Sequence, residues 1–166
     1  MNRTWALLAL LLAGCGYVVG SPFRPDVRTV AVPIFQNDTF RRGVEFQLTE
    51  AVQKEMQQRG LQIAEEPYAD TRLTGKIVQI QKQVLTESAF DDPRQLQLQY
   101  AVVIQWEDLR TGRYLAEQQI LLPPEDTAFF GQGQFAPEVG QSLATAKEEV
   151  VQRIARQIVN RMEMPW

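Results

Sequence analysis

The side chains that most often do covalent or acid–base chemistry are sparse in this chain. Among its 166 residues there is no histidine, and there is one cysteine, Cys15. Without histidine there is no Ser-His-Asp triad, no His/carboxylate iron site and none of the common zinc enzymes. One cysteine can form neither an intrachain disulfide nor a Cys-rich metal site. Paired carboxylates can divide acid and base roles when a cleft shifts one pKa. The adjacent pairs here are Glu65-Glu66, Asp91-Asp92 and Glu148-Glu149. Each falls in a loop or on an outer helix face, where a solvated surface is the expected role. Ser21, Ser88 and Ser142 have no histidine to activate them, and no Ser-x-x-Lys, Walker or dinucleotide glycine pattern is present. Gly131-Gln132-Gly133 reads as a flexible loop signal only.

The reactive group that remains is Cys15, and its setting is specific. The chain opens with a short basic region, Met1-Asn2-Arg3, followed by an apolar run over 5–13. A bilayer takes roughly 20 apolar residues to span, so this run is too short. It has the layout of a secretory signal peptide. It ends Leu12-Ala13-Gly14-Cys15, which resembles a bacterial lipobox, with the only cysteine at the one spacing where lipidation needs it. The spacing predicts a signal peptide over 1–14, removed, and a lipidated Cys15 heading the mature chain. Several acyl chains, at about 0.8 kcal/mol per buried methylene, hold a protein firmly at a membrane surface. Gly16 follows, not the aspartate that tends to retain similar lipoproteins at the inner membrane. The outer membrane is therefore the expected address, with the body in the periplasm. No cofactor is expected beyond this covalent lipid.

Hydrophobic residues are 45% and charged residues 22%, as in a globular domain, and the net charge is −3. A nucleic-acid partner needs a basic patch, and this balance argues against one. The chain is long enough for one domain with a real core. The expected division is a lipidated cysteine and linker over 15–27, holding Gly20, Pro22 and Pro25, then a single periplasmic domain over 28–166.

The elements follow from periodicity. A run rich in β-branched residues over 28–35 predicts the first strand, with Pro33 placing it at an edge or bulge. Asn37-Asp38-Thr39 signals a helix start, and Val44, Leu48, Val52 and Met56 recur at i, i+4 through to Arg59. Gly60 closes that helix. A second strand spans 71–86, where the apolar alternation slips and predicts a bulge near Ile77-Val78. The clearest strand is 95–107: Leu96, Leu98, Tyr100, Val102, Ile104 and Trp106 point one way. A turn over 108–112 leads to a fourth strand over 113–122, stopped by Pro123-Pro124. A loop over 125–136 carries Phe129, Phe130 and Phe135. Its aromatics either tuck onto the core or meet lipid or a partner. The last helix starts near Pro137 and runs to about Met162, with Val139, Leu143, Ala146, Val150, Ile154 and Ile158 as its stripe. The order β-α-β-β-β-α predicts an α+β fold. Its two amphipathic helices pack on one face of a four-stranded mixed or antiparallel sheet.

Gln95, Gln97 and Gln99, with Gln79, Gln81 and Gln83, form a glutamine-rich outer sheet face, in a chain with 20 glutamines. That face is either ordinary solvated surface or a contact surface. Lys76, Lys82, Arg94, Arg110 and Arg113 lie on or near strand ends, as contact candidates or as solvated charge.

Taken together these residues resemble the LPS-assembly lipoprotein family, LptE. The resemblance rests on Cys15-Gly16-Tyr17, Thr29-Val30-Ala31-Val32-Pro33 with Phe35 and Asn37, Glu45-Phe46 with Leu48-Thr49-Glu50-Ala51, Ala69-Asp70, Leu73-Thr74-Gly75 and the final helix. It covers nearly the whole mature chain. Val-Ala-Val-Pro with an aromatic and Asn is also similar to the first strand of other envelope lipoproteins. The family implies the two-helix, four-stranded layer, no catalysis, and a place as a plug in an LptD-like outer-membrane β-barrel. It also implies lipopolysaccharide as cargo, touched by basic residues of the kind named above. A barrel lumen is polar and wet, and unpaired charge is costly to desolvate, so a glutamine face suits a plug. The alternatives are a periplasmic lipoprotein adaptor, serving a peptidoglycan synthase or a secretion pore, and a hydrolase using carboxylates alone.

Overall fold

The computed structural model describes residues 22–87, 93–115, 127–135 and 142–163. The expected signal peptide, Cys15 and most of the linker lie outside them. The described end of the linker packs on the body, with Phe23 and Val27 buried in the core.

The elements run β1 (Thr29–Ala31), β2 (Gln36–Asn37), α1 (Val44–Gln58), β3 (Gln62–Ile63), β4 (Thr71–Glu87), β5 (Pro93–Asp108), β6 (Arg113–Tyr114), β7 (Thr127–Phe135) and α2 (Leu143–Met162). The class is the expected α+β, with two helices over a mixed sheet, but among the described residues the sheet already has seven strand segments rather than four. β1 lies between β3 and β4 and is parallel to both. β4 and β5 form a long antiparallel hairpin. The bulge expected near Ile77-Val78 is present as a register shift between Ile77 and Gln79.

The apolar stripes meet as the periodicity requires. Leu98, Tyr100, Val102, Ile104 and Trp106 of β5 join Leu48, Val52 and Met56 of α1 and Val150, Ile154 and Ile158 of α2 in one core. α1 stops at Gln58, and Gly60, just past the Arg59 C-cap, takes positive φ. α2 starts at Leu143 with Ser142 as N-cap, its hydroxyl accepting from Thr145 N–H. Val139 and Pro137 lie outside the described residues. The helices run in the same direction: at their last turns Arg59 donates to Asn160 and Glu163 as well as to Glu55.

Two expectations need correction. The first strand is not continuous over 28–35. β1 stops at Ala31 and β2 resumes at Gln36, because Pro33 lacks an N–H for the ladder. The intervening backbone is held by α1 instead: Thr49 Oγ1 accepts from Phe35 N–H, and Gln53 donates to the Val32 carbonyl. The fourth strand is present at Arg113–Tyr114, and the rest of its expected span over 116–122 lies outside the described residues. The loop expected over 125–136 is instead largely strand β7, paired with β5 from Ile104↔Thr127 to Leu96↔Phe135. β6 and β7 lie along the same side of β5, since Tyr114 pairs with Glu107, Leu115 N–H donates to the Trp106 carbonyl and Thr127 pairs with Ile104.

Gly131-Gln132-Gly133 is therefore not a loop. Both glycines are buried strand residues beneath α2. A Cβ at Gly131 would stand 2.4 Å from Ile154 Cγ1, and one at Gly133 would stand 2.6 Å from Val150 Cγ2. Their role is to let the helix come down onto the sheet.

Candidate partner-binding face

In an antiparallel ladder, residues directly opposite one another share a face. The register places Gln83, Gln97 and Gln134 side by side across β4, β5 and β7. The next row is Gln81, Gln99 and Gln132. Gln79 follows, opposite Ala101. These glutamines are exposed or half-buried, and Gln97 Nε2 donates to Gln132 Oε1 at 2.9 Å. The result is two rows of three uncharged amides on the face turned away from the helices. Each amide offers two donors and an acceptor oxygen.

Gln97, Gln99, Gln79, Gln81 and Gln83 are placed together as the alternation suggests. Gln95 pairs with Thr86 in the same ladder, with its side chain outside the described part of the structure. Gln132 and Gln134 were missed. Their period-2 spacing between Phe130, Gly131, Gly133 and Phe135 is the signal that could have found them.

The five basic candidates are not brought together. Lys76 pairs with Val103 on the glutamine side of the sheet and is bound to Asp38 at 2.7 Å. Lys82 pairs with Leu98 and so lies on the opposite, helix-bearing side. Arg110 and Arg113 sit at the hairpin turn at the other end of β5. Arg110 donates to the Asp26 carbonyl and neighbours the Asp26 and Asp108 carboxylates. Arg113 pairs with Asp108 in the ladder and is exposed. Arg94 lies in β5, with its side chain outside the described part of the structure. Of the loop aromatics, Phe129 packs against the core, while the side chains of Phe130 and Phe135 lie outside the described part.

Among the described residues the acidic pairs do not form a site either. Glu66 pairs with Arg72, and Glu149 with Arg153. Asp91-Asp92 lies outside the described residues. Among the described residues no group of three or more His, Cys, Asp or Glu is placed to hold a metal. No helix among them is long and apolar enough to cross a membrane.

The fold is of the α+β class, with a broad amide face on the side of the sheet away from the helices. Residues 27–162 match the LptE family, described as lipopolysaccharide-assembly, and the chain belongs to that family. Its role lies in lipopolysaccharide assembly, in the company of the lipopolysaccharide transport machinery. Among solved structures it is similar to rare lipoprotein B of Shewanella oneidensis (14% identity, 81% of this chain and 93% of that one, TM-score 0.51). It is also similar to a minor lipoprotein of Acinetobacter baumannii (13% identity, 82% and 92%, TM-score 0.54). A PelC dodecamer from Paraburkholderia phytofirmans shares the fold as well (12% identity, 87% and 96%, TM-score 0.54). At such identities these likenesses are of fold alone. No curated protein matches the chain.

Proposed function

We propose that this chain is an outer-membrane lipoprotein, without catalysis of its own, that assembles with and plugs an LptD-type β-barrel. In that role it aids lipopolysaccharide delivery at the outer membrane. Residues 1–14 are removed as a signal peptide, Cys15 carries the lipid, the linker runs over 15–27 and the domain over 28–166 stands in the periplasm. Family membership supports the pathway. The single observation that supports the plug is the glutamine face. Six amides in two rows across three strands present hydrogen-bonding capacity without charge. A wall of the polar, wet lumen can satisfy those amides, and no unpaired charge is stranded on closing the contact.

The test is co-purification from mild detergent with a C-terminal tag. The expected result is a large β-barrel recovered near one-to-one with the native chain. Gln97→Glu with Gln99→Glu should lower that recovery by about tenfold or more, because the new carboxylates lack partners in the contact. Undiminished recovery would remove the face from the interface. A peptidoglycan synthase in place of the barrel would move the adaptor reading first.

A further inference from the structure

At the end of the sheet far from the Arg110 turn, the strands lie in the order β4, β5, β7. Two hydrogen bonds fix which way their backbone groups point. Leu115 N–H donates to the Trp106 carbonyl on the β6 side, and Asp38 N–H donates to the Ile77 carbonyl on the β2 side. In a strand the N–H and C=O of one residue point to the same neighbour, and the next residue points its pair the other way. Gln97, Gln99 and Ala101 of β5 therefore turn to β4, and their partners Gln83, Gln81 and Gln79 turn back to them. The N–H and C=O groups of Ile80, Lys82 and Val84 point out of the sheet edge. Among the described residues no strand pairs with β4 beyond Ile77 on that side, and no backbone bond reaches Ile80 or Val84 there.

The two outer edges differ. On β7, the outward carbonyl of Gln132 accepts from Arg153 of α2 at 2.6 Å. Among the described residues the β4 edge has no such cover. Its open stretch also carries Val78, Val84 and Leu85, apolar side chains exposed at 42%, 47% and 43%. An open edge flanked by exposed apolar side chains is a template for another strand.

We infer that the open edge of β4 takes up an extended segment of a partner polypeptide, added as a further strand along Ile80 to Val84. Main-chain donors and acceptors that recur about every 6.8 Å are matched by another extended main chain, not by a lipid or an ion. The segment alternates apolar residues, beside Ile80 and Val84, with uncharged polar ones, beside Gln81 and Gln83. A second copy of this chain is a poor donor. Two-fold pairing that uses all three outward residues sets Lys82 opposite Lys82, and like charges directly opposite destabilise a pair. The β4–β5 connection is no donor either, since its five residues, 88–92, are tied at both ends to those two strands. Naming the barrel protein as the donor rests on the role proposed above. A closed barrel wall has no free edge, so the segment comes from outside the wall. The amide face and the β4 edge then make separate contacts.

The experiment compares amide hydrogen exchange, residue by residue, in the full acylated chain alone and in the complex recovered from mild detergent. In the chain alone the N–H groups of Gln79, Gln81 and Gln83 should exchange slowly and those of Ile80 and Val84 quickly. In the complex Ile80 and Val84 should slow by about tenfold or more. Val84→Pro removes one outward N–H and no bond to β5, as proline on an edge strand allows. Its recovery of the barrel should fall about tenfold below that of Val84→Thr, which loses apolar contact but keeps the N–H. Equal recovery by the two variants would overturn the added strand. The unfolding midpoints of both variants show whether the fold is kept, and the exchange measurement needs no variant. Barrel recovered with Ile80 and Val84 still exchanging quickly would overturn the edge contact and leave the plug standing. A different partner recovered with both amides slowed would overturn the barrel as donor and leave the edge contact standing. Slow exchange at both positions in the chain alone, deepening with concentration, would assign the edge to a second copy and overturn the partner segment.

Discussion

Tyr100 lies in the middle of the core face of β5, fully buried, and its hydroxyl has no hydrogen-bond partner among the described residues. A hydroxyl taken from water without a replacement costs about 1–3 kcal/mol. Burial also holds its phenol above the usual pKa, against the nearby Arg41 charge, so the group stays neutral and gains nothing by ionising. The ring, not the oxygen, is therefore what the core uses. Tyr100→Phe should leave stability unchanged or raise it by up to about 2 kcal/mol, read from the midpoint of urea unfolding. A loss of stability would show that the hydroxyl has a partner. Thr49 is the contrasting case. It is also buried, but its hydroxyl donates to the Glu45 carbonyl and accepts from Phe35 N–H. The oxygen there joins α1 to the break between β1 and β2.

Among elements, the pairing of β7 with α2 shows most clearly how a local pattern can mislead. Glycine contributes no side chain, so Gly131 and Gly133 cannot declare a buried face by hydrophobicity. The reason for them is the helix above, which the local sequence does not reveal. Gly131→Ala would drive a Cβ into Ile154 Cγ1, whose branched side chain in a helix has little rotamer freedom. The expected loss is about 1–3 kcal/mol. Combined with Ile154→Ala, the double variant should lose clearly less than the sum of the two single losses, in a thermodynamic cycle. Additive losses would mean that the helix does not press on the strand at this point.

The same contrast runs through the other elements. β4, β5 and both helices were legible because each carries its own apolar period, and the slipped alternation at Ile77-Val78 announced its bulge. The parallel placement of β1 between β3 and β4 was not, since two-residue registers formed across a helix leave no local trace. Five glutamines of the amide face were legible from strand alternation. Gln132 and Gln134 were hidden with the strand that carries them, and the basic candidates were scattered by turns and by the change of face at the bulge.

At the scale of the whole molecule, carboxylates join parts that are distant along the chain. Asp70, just before β4, accepts from the N–H groups of Arg28 and Thr29 and from the Thr29 hydroxyl, fixing the start of β1. Those backbone donors, Arg28 first, hold its pKa below the usual value despite some burial. Burial pushes Asp108 the other way, but the N–H groups of Arg110 and Thr111 in the hairpin turn outweigh it, and its pKa is also lowered. Glu45 is lowered by its own N–H at the start of α1 and by Asn37. In the unfolded chain all three carboxyls return to about 4. Between the folded and unfolded values the unfolded chain binds protons that the native one does not, so stability falls as pH drops through that window. Above it the contribution is complete. With no histidine in the chain, no side chain with an ordinary pKa titrates between about pH 5 and 7. The unfolding midpoint should therefore be flat across that range and decline below about pH 4. Asp70→Asn should lower stability at neutral pH by about 1–3 kcal/mol and make the acid decline shallower, because one of the three lowered groups is gone. A decline as steep as in the native chain would mean that Asp70 does not fix β1 through its charge. A drop between pH 7 and 5 would point to a titrating group that the chain's ordinary side chains do not supply.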